Sequence, residues 1–294
     1  MLKGFKRYLV LEKSYSPNTI EAYVRDVEKM LEFFDEAGVD YKSPKLEDFT
    51  NFLVEISSMG IAVRSQARII SGIKQFYKYL VVEDILKDSP AELVEAPKIG
   101  RHLPSVLSVE EIDAIKGAID LSKPEGHRNR AIIETMYSCG LRVSELVNLK
   151  MSNVFFDEKY VRVEGKGSKQ RLVPISDTAI RDINNYLPWR RGLEIKPGNS
   201  DYLFLNRRGS KLTRQMVFIM IKKFAEEAGV KTELSPHTLR HSFATHLLEG
   251  GANLRAIQQM LGHESILTTE IYTHISMDSL RNAISEFHPR GKKL

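Results

Sequence analysis

Tyr160-Val161-Arg162-Val163-Glu164, Gly165-Lys166-Gly167-Ser168-Lys169, Gln170-Arg171-Leu172-Val173-Pro174-Ile175 is where the hydrophobic period of this 294-residue sequence changes. Two β-rich segments flank a glycine-rich tip, the pattern of a β-hairpin. On both sides the period is helical. Downstream, helices are expected from about residue 177 to the end. Upstream, one is expected near Arg142, one over Arg128–Tyr137 and one from Ser108, where Ser108-Val109-Glu110-Glu111 has the form of a capping box. Residues 107–294 therefore read as an α+β domain. Before it, Glu95–Pro104 (EAPKIGRHLP) holds two prolines, a glycine and three basic residues without periodicity, the composition of an exposed linker, placed at 98–106. Residues 1–97 read as four helices. The clearest begins at the Ser16-Pro17 cap and runs through Ile20, Tyr23, Val27, Met30, Leu31 and Phe34 to Gly38. The fold class expected is mainly α with a small β-sheet, in two domains.

Composition narrows the function. The chain is 42% hydrophobic and 28% charged, the balance of a globular protein rather than a disordered one. A membrane span needs about 20 apolar residues in succession, and runs such as Val217–Ile221 end at a lysine; no secretory signal is expected near the N-terminus. A cytoplasmic protein with no membrane partner is the expectation. The lone cysteine, Cys139, leaves no internal disulfide and reads as a small buried residue. Residues 1–100 hold 14 basic and 16 acidic side chains, whereas 101–294 hold 29 and 22, so the positive charge lies in the second part. A polyanionic partner follows from that asymmetry only weakly.

Gly165-Lys166-Gly167 lacks the third glycine of a dinucleotide loop and the Ser/Thr of a P-loop, so ATP and NAD find no support. What remains is a lysine at an exposed tip, with Lys169 and Arg171 beside it as DNA-contact candidates. In Ser235-Pro236-His237-Thr238-Leu239-Arg240-His241, Ser235 caps a helix that Pro236 begins. That places His237 in the first turn, where free N–H groups attract anions, with Arg240 three residues on. A phosphate site is the chemical reading; a metal pair is not, because the zinc-helix glutamate is replaced by Thr238. Arg142 and Glu145 make a helical ion pair by default. In the fourth helix Arg64, Arg68, Lys74 and Lys78 share one face, either solvated or turned to DNA.

Cys139-Gly140-Leu141-Arg142-Val143-Ser144-Glu145-Leu146, the hairpin Lys166, His237-Thr238-Leu239-Arg240-His241, Leu261-Gly262-His263 and Tyr272-Thr273-His274, in this order, resemble the tyrosine recombinases of the λ-integrase family. The terminal His288-Pro289-Arg290 and the short N-terminal part are similar to the XerC/XerD type. The resemblance covers the whole chain. It implies an N-terminal four-helix SAM-like domain that binds DNA and a C-terminal catalytic domain that cuts and rejoins DNA through a 3′-phosphotyrosyl bond.

By that resemblance Tyr272 is the nucleophile, Arg142, Arg240 and His263 hold the scissile phosphate, Lys166 protonates the leaving 5′ oxygen, His237 assists proton transfer and Glu145 orients the arginines. No cofactor and no metal are implied. The partners implied are double-stranded DNA and a homo- or hetero-tetramer on two recombination sites, with a second recombinase and a septal DNA translocase as candidates. The roles implied are chromosome dimer resolution or mobile-element integration and excision. A type IB topoisomerase-like enzyme and a non-catalytic DNA-binding regulator are the alternatives; the second predicts a lost tyrosine or arginine, and none is lost. The C-terminal stripe Leu280, Ile284 and Phe287 is expected to dock on a neighbouring protomer, with self-packing as its alternative.

Overall fold

A computed structural model describes residues 1–97, 105–165, 169–232, 234–262 and 277–291. The chain divides into two compact units, Met1–His102 and Leu103–Leu294, a division that falls inside the 98–106 stretch. Among the described residues no helix is long and apolar enough to cross a membrane.

The first unit comprises α1 (Leu2–Leu11), α2 (Pro17–Glu36), α3 (Leu46–Ser58) and α4 (Val63–Val82). Ser16 caps α2 by accepting from the Thr19 amide at 3.3 Å, with Pro17 supplying the helical φ of the first position. The apolar stripes meet in one core where Phe34, Phe49 and Tyr77 pack edge to face at 5.5 Å. Gly72 lets α2 approach α4: a Cβ there would lie 3.2 Å from the Tyr23 ring. The basic stripe is not uniform. Arg68 pairs with the buried Asp26 of α2, and Lys74 donates to the Glu92 carbonyl at 3.1 Å, while Arg64 and Lys78 are exposed. Burial raises the Asp26 carboxyl above its usual range in spite of Arg68.

The second unit comprises α5 (Val109–Gly117), α6 (Pro124–Cys139), α7 (Val143–Val147), strands β1 (Val154–Phe155), β2 (Tyr160–Glu164) and β3 (Gln170–Pro174), and then α8 (Asp177–Arg191), α9 (Arg214–Glu227), α10 (Pro236–Glu249), α11 (Leu254–Leu261) and α12 (Met277–Asn282). The sheet is antiparallel in the order β1-β2-β3, with Val161 opposite Val173 and Glu164 opposite Gln170. β1 was not foreseen, because two residues carry no alternation. Helix α6 begins at Pro124, earlier than the periodicity implied. The expectation of helix throughout from 177 onward is corrected at 192–213. There Pro197-Gly198-Asn199 turns the chain, and Arg190 of α8 donates to the carbonyls of Tyr202 (2.8 Å) and Leu203 (3.1 Å), holding a non-helical loop by its backbone.

Of the C-terminal stripe, Leu280 and Ile284 are buried in the core of their own domain in the single chain, the self-packing arrangement. His288-Pro289-Arg290 pins this arrangement. Arg290 donates to Glu134 at 3.1 Å, pairs with Asp113 and lies 5.5 Å over the Tyr137 ring. His288 is wholly buried between Tyr137 and Phe243, accepting from the Arg290 amide at 3.1 Å. Its Nε2 has no hydrogen-bond partner among the described residues.

Burial, reinforced by the Arg290 and His246 charges, lowers the His288 pKa to about 3 from 6.5. The folded state thus refuses a proton that the unfolded chain accepts. The stability this contributes is complete above pH 6.5 and is lost as pH falls from there toward 3, by about 1.4 kcal/mol per unit. His288→Phe should leave the melting temperature at pH 8 within a few degrees and flatten its decline between pH 6.5 and 4.5. Parallel pH profiles for the two proteins would show that His288 does not titrate on unfolding.

Candidate active site

The site begins where α6 stops. Gly140 takes a left-handed φ of 58°, and a Cβ there would stand 2.4 Å from the Phe243 ring, so the turn admits glycine alone. Two residues later Arg142 is the N-cap of α7, and the Glu145 carboxylate accepts from its backbone amide at 2.8 Å. The same carboxylate takes the Arg142 guanidinium at 2.8 Å and a bidentate pair from Arg171 at 2.8 and 2.9 Å; Arg240 Nη1 lies 3.9 Å away. Three arginines from α7, β3 and α10 therefore surround one carboxylate.

The three share a second anchor. Helix α11 ends at Gly262, in the left-handed conformation, with carbonyls that no further turn can use. Arg171 Nε donates to the Met260 carbonyl at 2.6 Å and Arg240 Nη2 to that of Leu261 at 2.6 Å; Arg142 Nη2 reaches Gly262 at a long 3.5 Å. The negative end of the helix dipole faces the cluster. Arg240 also donates to the Gly140 carbonyl at 2.7 Å, tying α10 to the α6 turn.

The electrostatics follow from this crowding. Burial, then the neighbouring Arg142, lowers the Arg240 pKa to about 10, so it stays charged at neutral pH. Burial raises the Glu145 carboxyl, but hydrogen bonds and charge from Arg171, with help from Arg142, outweigh it, and the net pKa is below the usual value. Three cations against one anion leave the cluster positive by two. A partly buried arginine cluster of that charge suits a phosphodiester whose charge grows as it reacts.

The described residues bring together Arg142, Arg240 and Glu145. His237 stands exposed in the first turn of α10, behind the Ser235 cap and one turn before the buried Arg240. Lys166, His263 and Tyr272 lie outside the described residues. Strands β2 and β3 bracket Lys166, closed by the Gly165 amide donating to the Lys169 carbonyl at 2.8 Å, and Lys169 is exposed. Arg171 corrects the sequence reading. Expected as a DNA contact, it is spent on Glu145 and Met260 and holds the site together from within. The signal was present in the strand alternation, which sets Arg171 on the inward face shared with Val173. Cys139 is the inert buried residue expected, its thiol pushed up to about 12 by burial.

Comparison with known proteins places this geometry. Residues 105–279 match the phage integrase family, and residues 2–84 match the phage integrase N-terminal SAM-like domain. The chain belongs to the phage integrase family. It is 42% identical over 298 residues to the tyrosine recombinase XerD of Chlorobaculum tepidum, covering 99% of this chain and 96% of that one. It is 40% identical over 294 residues to XerD of Staphylococcus aureus, covering 99% of both. Among solved structures, the XerH site-specific recombinase bound to palindromic difH substrate in a post-cleavage complex superposes with a TM-score of 0.72 at 26% identity, over 90% of this chain and 79% of that one. The protein is thus a tyrosine recombinase of the XerC/XerD type, an enzyme that cuts and rejoins DNA. The helical N-terminal unit and the sheet-bearing catalytic unit are the two domains of that family.

Proposed function

We propose that the Arg142–Arg171–Arg240 cluster is the phosphate-binding half of a strand-exchange site whose nucleophile is Tyr272. The observation that carries this reading is the convergence of three guanidiniums on Glu145 and on the α11 terminus, immediately before the segment that holds His263 and Tyr272. Arg171 and Glu145 act as a frame; Arg142, the most exposed of the three, and Arg240 present donors to the non-bridging oxygens. The tyrosine oxygen forms a bond to phosphorus as the bond to the 5′ oxygen breaks. The phenol proton leaves with help from His237, and Lys166 supplies a proton to the departing 5′ oxygen. His263 adds a hydrogen bond to the phosphate. Four protomers on two duplex sites would each cut one strand, working as one kind of chain or with a second recombinase, and a septal DNA translocase is a candidate partner. Chromosome dimer resolution is the role that the similarity to XerD proteins supports over mobile-element integration.

The phosphotyrosyl ester stores the energy of the broken phosphodiester, so rejoining by a 5′ hydroxyl requires neither nucleotide nor metal. On a nicked duplex, whose cut fragment diffuses away, the protein should accumulate a covalent adduct that survives boiling in detergent, at equal yield in EDTA and in Mg²⁺. Loss of the adduct in EDTA with recovery in Mg²⁺ would overturn the mechanism.

A further inference from the structure

The only tryptophan of the chain, Trp189, stands near the end of α8 and is 43% exposed. One face of its indole stacks on His127 of α6, with ring centroids 5.8 Å apart and planes at 19°. With Tyr186 and Leu193 it walls a cavity of about 250 Å³ between the start of α6 and the end of α8. Arg128, the exposed Arg207 and Glu125 bring charge to this cavity. Arg128 is partly buried and held by neutral partners. It donates through Nε and Nη2 to the Asn129 side-chain carbonyl at 3.1 and 2.8 Å, and through Nη1 to the Leu205 carbonyl at 3.0 Å. Among the described residues it forms no ion pair, and a guanidinium has five N–H groups, so two are left for a ligand. Burial lowers its pKa from the ordinary value, the mark of a cation short of a counter-ion.

We infer that this cavity takes an aromatic side chain from an acidic segment of a partner protein, the ring against Tyr186 and Trp189 and a neighbouring carboxylate on Arg128 and Arg207. Size selects the ring. A cavity of about 150 Å³ holds benzene, whereas small-molecule sites run to roughly 300 to 1,000 Å³. At about 250 Å³ this one fits a single aromatic residue and is too small for a cofactor. Charge selects the acid. Two arginines against Glu125 leave the cavity positive, and a carboxylate can accept from both N–H groups that Arg128 has left. Duplex DNA is the poorer occupant, because it offers phosphates and keeps its bases stacked out of reach. The cavity is also separate from the arginine cluster. Helix α6 runs 16 residues from Pro124 to the turn at Gly140, about 24 Å at 1.5 Å per residue. A buried aromatic anchor with a charged rim is the usual energetic centre of a protein interface.

Because Trp189 is the only tryptophan, its emission reports this cavity alone. The probe is the peptide acetyl-Asp-Glu-Phe-Glu-Asp-amide, titrated to millimolar concentration into the full-length protein, beside the same peptide with alanine in place of phenylalanine. The phenylalanine peptide should change the emission saturably and the alanine peptide should not. Arg207→Glu should weaken binding about tenfold and Glu125→Gln, which removes a like charge, should tighten it roughly two- to threefold, the opposite signs that charge complementarity requires. Arg207 is exposed and makes no contact that folding depends on, so its variant reads the site and not stability. No binding of the phenylalanine peptide by emission or calorimetry would overturn the inference, as would equal binding of the alanine peptide or equal affinities in the two variants. An emission change produced by duplex DNA and not by the peptide would overturn it too and assign the cavity to nucleic acid.

Discussion

Tyr272→Phe should yield no covalent protein–DNA adduct on the nicked substrate while binding the duplex as the wild type does. The substitution keeps the ring and deletes one oxygen, so a structural tyrosine and a nucleophilic one part only at the covalent step. Removing a covalent nucleophile typically costs roughly 10³- to 10⁶-fold in rate; in an adduct assay that is complete loss. The arginines sharpen the comparison. Arg142 is 35% exposed at its side chain and reaches out from the Glu145 frame, whereas Arg240 is nearly buried and spends donors on the Gly140 and Leu261 carbonyls. Arg142→Ala should remove adduct formation with little effect on thermal stability. Arg240→Ala should remove it and lower stability as well, because two carbonyls lose their partner. Adduct formation by Tyr272→Phe at wild-type yield would place the nucleophile elsewhere.

Glu145→Gln should be the most damaging single change among the framework residues. The amide can still accept from the Arg142 backbone, but its charge is gone, and Arg142, Arg171 and Arg240 then face one another without the carboxylate that separates them. Removing one partner of a buried ion pair costs roughly 3 to 5 kcal/mol, which lowers the melting temperature of a domain this size by on the order of 10 °C. Adduct formation should fall about a hundredfold, the cost of displacing a preorganised donor set, while affinity for duplex DNA, which responds to total positive charge, holds or rises. The pH dependence carries a further sign. Because the folded Glu145 carboxyl titrates below its unfolded value, its stabilisation is present above the unfolded pKa and lost as pH falls through the folded one. That part of the acid sensitivity should be missing in Glu145→Gln. A variant as stable and as active as the wild type would show that the three arginines are held by the helix terminus alone.

Much of this architecture is local and was open to reading along the chain. The caps at Ser16, Ser108 and Ser235 each accept from the amide three residues on, so short-range sequence decides where α2, α5 and α10 begin. The hairpin is set by alternation over Tyr160–Glu164 and Gln170–Pro174, whose pairing requires no distant partner. Gly140 and Gly262 mark left-handed helix ends that few other residues adopt. By themselves these signals determine two helical units, one small sheet and the set of motifs that identifies the family.

What the tertiary structure decided is which charges meet. Arg171 on β3 and Arg68 on α4 look on paper like the basic residues around them, yet each is paired with a carboxylate distant in sequence, Glu145 in one case and Asp26 in the other. The C-terminal stripe offered two surfaces to bury against, and the choice of its own domain depends on Asp113, Glu134 and Tyr137 receiving Arg290 from more than 150 residues away. Periodicity reports that a face will be buried and leaves its partner open, because hydrophobic burial has no direction. An ion pair requires both partners at one place, and only the folded chain sets that distance.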